Sequence, residues 1–389
     1  MPGPRSSYLG DIVPGFPMFC LERWQSLHET SARVLLSESG VEPPSWQELR
    51  DAGLEPRVED VDLGYGWTKG WPPLRRTIAE RIYGSAIGVD NVVVASGGAE
   101  ANLLAVLATV KPGDLVVVDT PNYMQVHGLL AMRGTRVYRL KRRAINKWQL
   151  DIEDLVVLIE TLRPRAVFVT NPNNPTGAVE HRLGELAEAA ARRGTVLVFD
   201  EVYRGLELVD ENVTPSILSW AVEYGADAVS TGSLSKTYGL PGLRVGWAAA
   251  STRNLADRLW SVKDYTTIAT SRISEILARD ALEKLGEWLR QRARRIARRN
   301  AEAAARILAG CGHGLHRPEA GAFALLEIGG NTLQLAETLY QHYGILVNPG
   351  ECFGELRGYL RIGLGIADPE KAERSYQQLR RALEESKAC

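Results

Sequence analysis

From about residue 72 to residue 250 the chain alternates short apolar runs with stretches of helical period. The runs are NVVVAS (91–96), DLVVVD (114–119), RAVFVTN (165–171), TVLVFD (195–200), DAVSTGS (227–233) and RVGWAAA (244–250). They are β-branched and continuous rather than alternating, which predicts strands covered on both faces, as in a mostly parallel sheet whose helical crossovers lie above and below it. Between them, PPLRRTIAERIYG opens on prolines, which suit a first helical turn, and EANLLAVLATVKPG stops at Pro and Gly. From Leu285 to Leu308 one stripe carries Leu285, Leu289, Ala293, Ile296, Ala303 and Ile307 while arginines crowd the rest, predicting a long amphipathic helix that bridges two domains. Beyond it, only AFALLEIG and GYLRIGLG read as strands, and a last helix starts near Pro369. The expectation is an α/β fold with a large domain over 61–285. Residues 286–389 supply the interdomain helix and a smaller α+β domain, and residues 1–60 an N-terminal arm and part of that smaller domain.

Composition narrows the class. The 389 residues are 45% hydrophobic and 24% charged with a formal net charge of -1, so neither nucleic acid nor a membrane surface is an expected partner; acidic residues elsewhere balance the basic helix. No apolar run approaches the ~18 residues of a membrane span. The opening MPGPRSSYLGDIVPGFP breaks its apolar residues with Pro, Gly and Asp and does not read as a signal peptide. Cys20, Cys311, Cys352 and Cys389 are far apart without a C-x-x-C pair, which predicts reduced thiols in a cytoplasmic protein. Cys311, His313 and His316 lack an acidic or second thiol partner, so no metal site is expected.

The candidate chemistry lies at strand ends, where open α/β sheets bind ligands. In SLSKTYGLPGLRVGW (233–247), Lys236 stands between hydroxyl residues and eight positions before Arg244. A held, partly desolvated lysine forms a Schiff base with an aldehyde, while Ser233, Ser235 and the Arg244 fork suit a phosphate. An aldehyde bearing a phosphate is pyridoxal 5′-phosphate (PLP). SGGAEANLL opens a helix on a glycine-rich turn, so the amides of Gly98 and Ala99 can meet the same phosphate. NPNNPTG (171–177) makes a rigid turn that presents Asn174. Asp200 ends an apolar strand in DEVYRGL and needs a cationic partner, which a protonated pyridine nitrogen would be; Tyr203 follows it. Tyr123 in DTPNYMQ can stack on a flat heterocycle.

In chain order these pieces resemble the class I and II aminotransferases, PLP enzymes of fold type I, over roughly residues 60 to 365. The resemblance implies Lys236 as Schiff-base lysine, Asp200 as partner of the pyridine nitrogen, Asn174 and Tyr203 at the phenolic oxygen, and Tyr123 as stacking ring. Gly98, Ala99, Ser233, Ser235 and Arg244 would form the phosphate cradle. Arg361 in GYLRIGLG would clamp the substrate α-carboxylate, with Gly40 and Asn174 also on the substrate side. Tyr65 in GYGWTKGW would reach the cofactor phosphate of a neighbouring subunit, implying a homodimer. The implied reaction moves an amino group between an α-amino acid and a 2-oxo acid, with Lys236 moving the proton. The stretch ESGV-x(4)-W-x-EL (38–49) instead resembles the capreomycidine-synthase branch, which eliminates and cyclises an arginine-derived amino acid, so both reaction types stay open. A PLP-binding transcription regulator is a remote third reading, since it needs a DNA-binding domain ahead of the resemblance.

Overall fold

The structure is a computed structural model that describes residues 10–56, 58, 61–210 and 212–388; the expected thiol Cys389 and the start of the leading segment (1–9) lie outside them. Strands β1 (Val92–Ala95), β2 (Leu115–Thr120), β3 (Arg136–Lys141), β4 (Ala166–Thr170), β5 (Val196–Asp200), β6 (Ala228–Ser233) and β7 (Gly246–Ala250) form one seven-stranded sheet in the order β1-β7-β6-β5-β4-β2-β3. β7 runs antiparallel to both of its neighbours, and the other pairings are parallel. Alternate residues face opposite ways. Val92, Val94, Val167 and Leu197 pack into one core, and Val93, Val116, Phe168 and Val196 into another. Six strands coincide with the apolar runs. β3 does not, because this edge strand buries only Leu140 and exposes Arg136, Arg139 and Lys141, charges that keep an open edge from pairing with another chain.

Three helices set the remaining frame: α1 (Cys20–His28), α2 (Gly97–Thr109) and α3 (Arg272–Ile307). α3 has 36 residues and a Ser271 cap accepting from Ser274 N. It starts well before the apolar stripe because its first turns bury Glu275 and Asp280 where apolar residues would have signalled a helix. Leu285 and Leu289 pack under the large sheet, and Ala303, Ala304 and Ile307 enter the core of a second sheet. That sheet is antiparallel: β8 (Gly314–His316), β9 (Phe323–Glu327), β10 (Asn348–Pro349) and β11 (Tyr359–Gly363), ordered β8-β9-β11-β10. Helix α4 (Pro369–Glu385) packs on it through Ala372, Tyr376 and Leu379.

The N-terminal segment joins this second core. α1 buries Leu21 and Trp24, whose Nε1 donates to Val347 O at 2.9 Å. The chain then runs as a ribbon beside β11, with Leu36 N donating to Leu346 O and Gly363 N to Leu36 O at 2.7 Å. Two glycines permit this: a Cβ on Gly363 would sit 2.6 Å from Glu38 O, and one on Gly365 1.9 Å from Gly40 O. The expectation of reduced thiols is corrected here, for Cys20 and Cys352 form a disulfide, and no cysteine among the described residues is free. Their separation of 332 residues hides the pairing from the sequence, since only the docking of α1 on the second core brings the Cα atoms to 5.1 Å. Among the described residues no helix is long and apolar enough to cross a membrane.

Candidate active site

The parallel strands end on one edge of the large sheet, and the N-terminal segment faces that edge across a cavity of about 800 Å³. Gly98 and Ala99 line it from the first turn of α2, Tyr123 from the turn after β2 and Asn174 from that after β4. Asp200, Tyr203, Ser233, Ser235, Lys236 and Arg244 complete the inner wall. The outer wall carries Glu22, Glu29, Glu38 and Ser39, and His127 and Arg139 line the cavity as well.

The phosphate-type residues converge. The Arg244 guanidinium lies against Gly97, where a Cβ would come within 2.5 Å of Nη2. Gly246 is required for the same approach, since a Cβ there would meet the Gly97 carbonyl carbon at 2.4 Å. Glu100 folds back on its own helix start and accepts from Ser96 N at 2.5 Å, leaving the amides of Gly98 and Ala99 nearest the cavity.

Asp200 Oδ2 accepts from Asn102 Nδ2 at 2.8 Å and Oδ1 from Val202 N at 3.1 Å. Burial pushes its carboxyl above the usual carboxylate range, against the pull of the Asn102 bond. Asn102 is itself fixed by Thr231 Oγ1 at 2.6 Å and Gln125 Oε1 at 3.0 Å. Lys236 Nζ donates to Ser39 Oγ at 2.8 Å, and a Cβ on Gly40 would lie 3.4 Å from Lys236 Cδ. Gly40 thus sits beside the lysine stem. The Tyr123 hydroxyl donates to Glu22, and its ring meets Phe19 edge-on at 5.0 Å. Burial, with the Glu22 charge second, raises that phenol well above its ordinary value.

Asn174 links two other expected residues. Its Nδ2 donates to Tyr203 Oη at 3.4 Å, and its Oδ1 accepts from Arg361 Nη1 at 2.9 Å. Arg361 does not line the cavity but stands behind Asn174, 1% exposed, with Nη2 donating to Ser37 O at 2.6 Å and Nε unpartnered. Burial lowers this guanidinium, with nearby groups including Glu38 opposing. The loop carrying Asn174 hangs on a buried charge cluster: Arg142 pairs with Asp119 at 2.8 Å and Glu180 at 2.6 Å, and Asp119 accepts from Asn173 Nδ2. Tyr65 is not brought into this cavity; it is 88% exposed on the surface.

Ser39, Glu22, Asn102 and the Arg142 cluster escaped the sequence reading. Asn102 had a signal, since it follows Ala99 by three residues on α2 and so shares that helix end. Ser39 and Glu22 had none, because α1 and the ribbon reach the cavity only through packing on the second sheet.

Residues 47–379 match the family of class I and II aminotransferases, and the chain belongs to it. It is 32% identical to capreomycidine synthase of Streptomyces vinaceus over 382 residues, 95% of this chain and 94% of that protein. It is 31% identical to an arginine–pyruvate transaminase of Pseudomonas aeruginosa over 325 residues, 78% of this chain and 79% of the other. A PLP-dependent aminotransferase from Streptococcus suis superposes with a TM-score of 0.85 at 28% identity, covering 95% of this chain and 98% of that one. The aspartate aminotransferase of Thermotoga maritima shares the fold with a TM-score of 0.80. The fold is fold type I and the cofactor is PLP. The donor set fits that cofactor: a glycine-lined anion cradle with Arg244, a carboxylate lacking a cationic side chain as hydrogen-bond partner at Asp200, and a primary amine at Lys236.

Proposed function

We propose that the chain is a PLP-dependent transaminase that moves the amino group of an α-amino acid with a cationic side chain to a 2-oxo acid. The observation that carries the transaminase reading is the convergence of Lys236, Asp200 and the Arg244 cradle on one cavity, with Arg361 directly behind Asn174. The side-chain preference is supported by the outer wall, where Glu22, Glu29 and Glu38 line the cavity; of the three cations that line it, Lys236 and Arg244 belong to the proposed cofactor site and Arg139 to the edge strand β3. The name of one relative, an arginine–pyruvate transaminase, points to arginine as well.

When bound, PLP supplies an electron sink for the pair left on the substrate α-carbon. In this reading Arg244, Ser233, Ser235 and the first amides of α2 hold its phosphate. Asp200 holds the ring nitrogen, with Asn102 fixing the carboxylate plane. Asn174 and Tyr203 hold the phenolic oxygen, and Tyr123 covers the ring. Arg361 is assigned the substrate carboxylate, for which its planar fork suits a two-point contact; the carboxylate would reach it past Asn174, taking the place of the Asn174 Oδ1 bond to Nη1. Lys236 would take the proton from the substrate α-carbon and hold it for return. The reading includes a homodimer, for which the heavily exposed side chains of Leu63, Tyr65 and Tyr265 are candidate contacts.

Elimination with cyclisation is the second reading. It is favoured by the likeness to capreomycidine synthase, which spans the N-terminal segment too. The deciding experiment supplies PLP-loaded enzyme with α-¹⁵N-arginine or its hydroxylated derivative, plus pyruvate. Transamination places ¹⁵N in alanine, as expected here. Consumption of the donor with the label retained in a cyclic product and no labelled alanine would replace the first reading with the second.

A further inference from the structure

Lys236 presents its amine to one hydroxyl: Nζ donates to Ser39 Oγ at 2.8 Å. Ser39 is held firmly. It is 8% exposed and belongs to the ribbon clamped beside β11, where Gly363 N donates to Leu36 O and Glu42 N donates to Gly365 O at 2.8 Å. Two residues earlier on that ribbon, the Ser37 carbonyl accepts from Arg361 Nη2 at 2.6 Å and from Asn348 Nδ2 at 2.6 Å. One stretch of backbone therefore positions both the amine and the guanidinium proposed to grip the substrate. Gly40 leaves space along the lysine stem, since a Cβ there would already touch Cδ at 3.4 Å.

A lysine that forms and releases an imine must spend part of each cycle as a primary amine, and it must take the α-proton from a defined place. A four-carbon stem has several rotamers open to it, so an amine without an acceptor spreads over them. We propose that Ser39 is the positioning residue for that base: its hydroxyl receives the Lys236 amine whenever it is free and fixes the point from which it takes the substrate proton. This rests on the reading of Lys236 as the base. In the step itself the Cα–H bond breaks, an N–H bond forms on Nζ, and the electron pair stays with the substrate and the ring conjugated to it. Ser39 neither gains nor loses a proton; it orients the lone pair of the acceptor nitrogen.

The test compares wild type, Ser39→Ala and Ser39→Thr in the full-length, PLP-loaded enzyme, following exchange of the donor's α-proton in D₂O, kcat, KM and the isotope effect on kcat with α-deuterated donor. Ser39→Ala is expected to lower exchange and kcat about tenfold, the worth of one positioning hydrogen bond. The isotope effect should rise, while KM and PLP affinity stay unchanged and Ser39→Thr restores most of the rate. A second readout avoids turnover. In cofactor-free protein, acetylation at Lys236 followed by peptide mass spectrometry should quicken severalfold in Ser39→Ala while other lysines keep their rates. Unaltered exchange, isotope effect and labelling in Ser39→Ala would overturn the proposal, as would a rate loss matched by an equal loss of PLP affinity, which marks a structural role. Absence of α-proton exchange already in wild type would instead sink the reading of Lys236 as the base, and this proposal with it.

Discussion

The cavity has two walls of different origin. The inner wall is the edge of the seven-stranded sheet, where each side chain stands within a few residues of a strand end and strand pairing sets its place. The outer wall is the segment from Phe16 to Ser39, which owes its place to the second sheet and to partners hundreds of residues away, such as Trp24 with Val347. Under the proposed reading the groups that would hold the cofactor are placed by strand ends, while the outer segment brings in the acidic groups proposed to face the substrate and the Ser39 hydroxyl proposed to place the base.

The largest effect should come from cutting the inner wall at Lys236→Ala. Turnover should fall by about 10⁴-fold, the upper range for loss of a positioned base, while PLP stays bound through Arg244 and the α2 amides. Borohydride should then fix no cofactor to the protein. Covalent fixation in this variant would show that another lysine forms the imine and that the inner wall has been misassigned. An outer-wall change should be selective instead. Glu22→Gln keeps an acceptor for the Tyr123 hydroxyl but removes the charge, so kcat/KM for arginine should drop about tenfold to a hundredfold, the worth of one charged hydrogen bond, with alanine unaffected. Equal losses for both donors would erase the proposed division.

The smallest effect concerns the junction of the walls. His127 is 7% exposed with neither ring nitrogen partnered, and burial, with Arg139 second, lowers it to about 4. Between its ordinary value of 6.5 and about 4 the unfolded chain binds a proton that the folded chain refuses, so stability falls as pH falls through that window. The loss attributable to this group is about 3 kcal/mol by pH 4. Urea unfolding of cofactor-free protein followed by circular dichroism between pH 7 and 4 should show a shallower decline for His127→Gln than for wild type. Coincident slopes would mean that the imidazole reaches water or a partner.

What the sequence disclosed follows the same division. Asp200, Asn174 and Lys236 announce themselves because turn chemistry and apolar strand ends are local, and six of seven strands are legible for the same reason. β3 was hidden by its edge charges, and the opening of α3 by Glu275 and Asp280 on its buried face. Arg361 stands out as a candidate through its motif, yet nothing local told that it would stand behind Asn174 rather than open on the cavity. Ser39, Glu22 and the Cys20–Cys352 pair depend on contacts across more than a hundred residues, to which no periodicity or spacing responds.

The bond from Cys20 to Cys352 also makes most of the molecule a closed covalent loop, with Lys236, Asp200 and Asn174 inside it and Arg361 and α4 on the tail that leaves it. A single peptide cut anywhere on that circle opens it without releasing a fragment. Protein nicked in one surface turn would therefore run at full mass on a denaturing gel and fall into two bands only after thiol treatment, so that an unbroken backbone and an undivided molecule are separate properties of this chain.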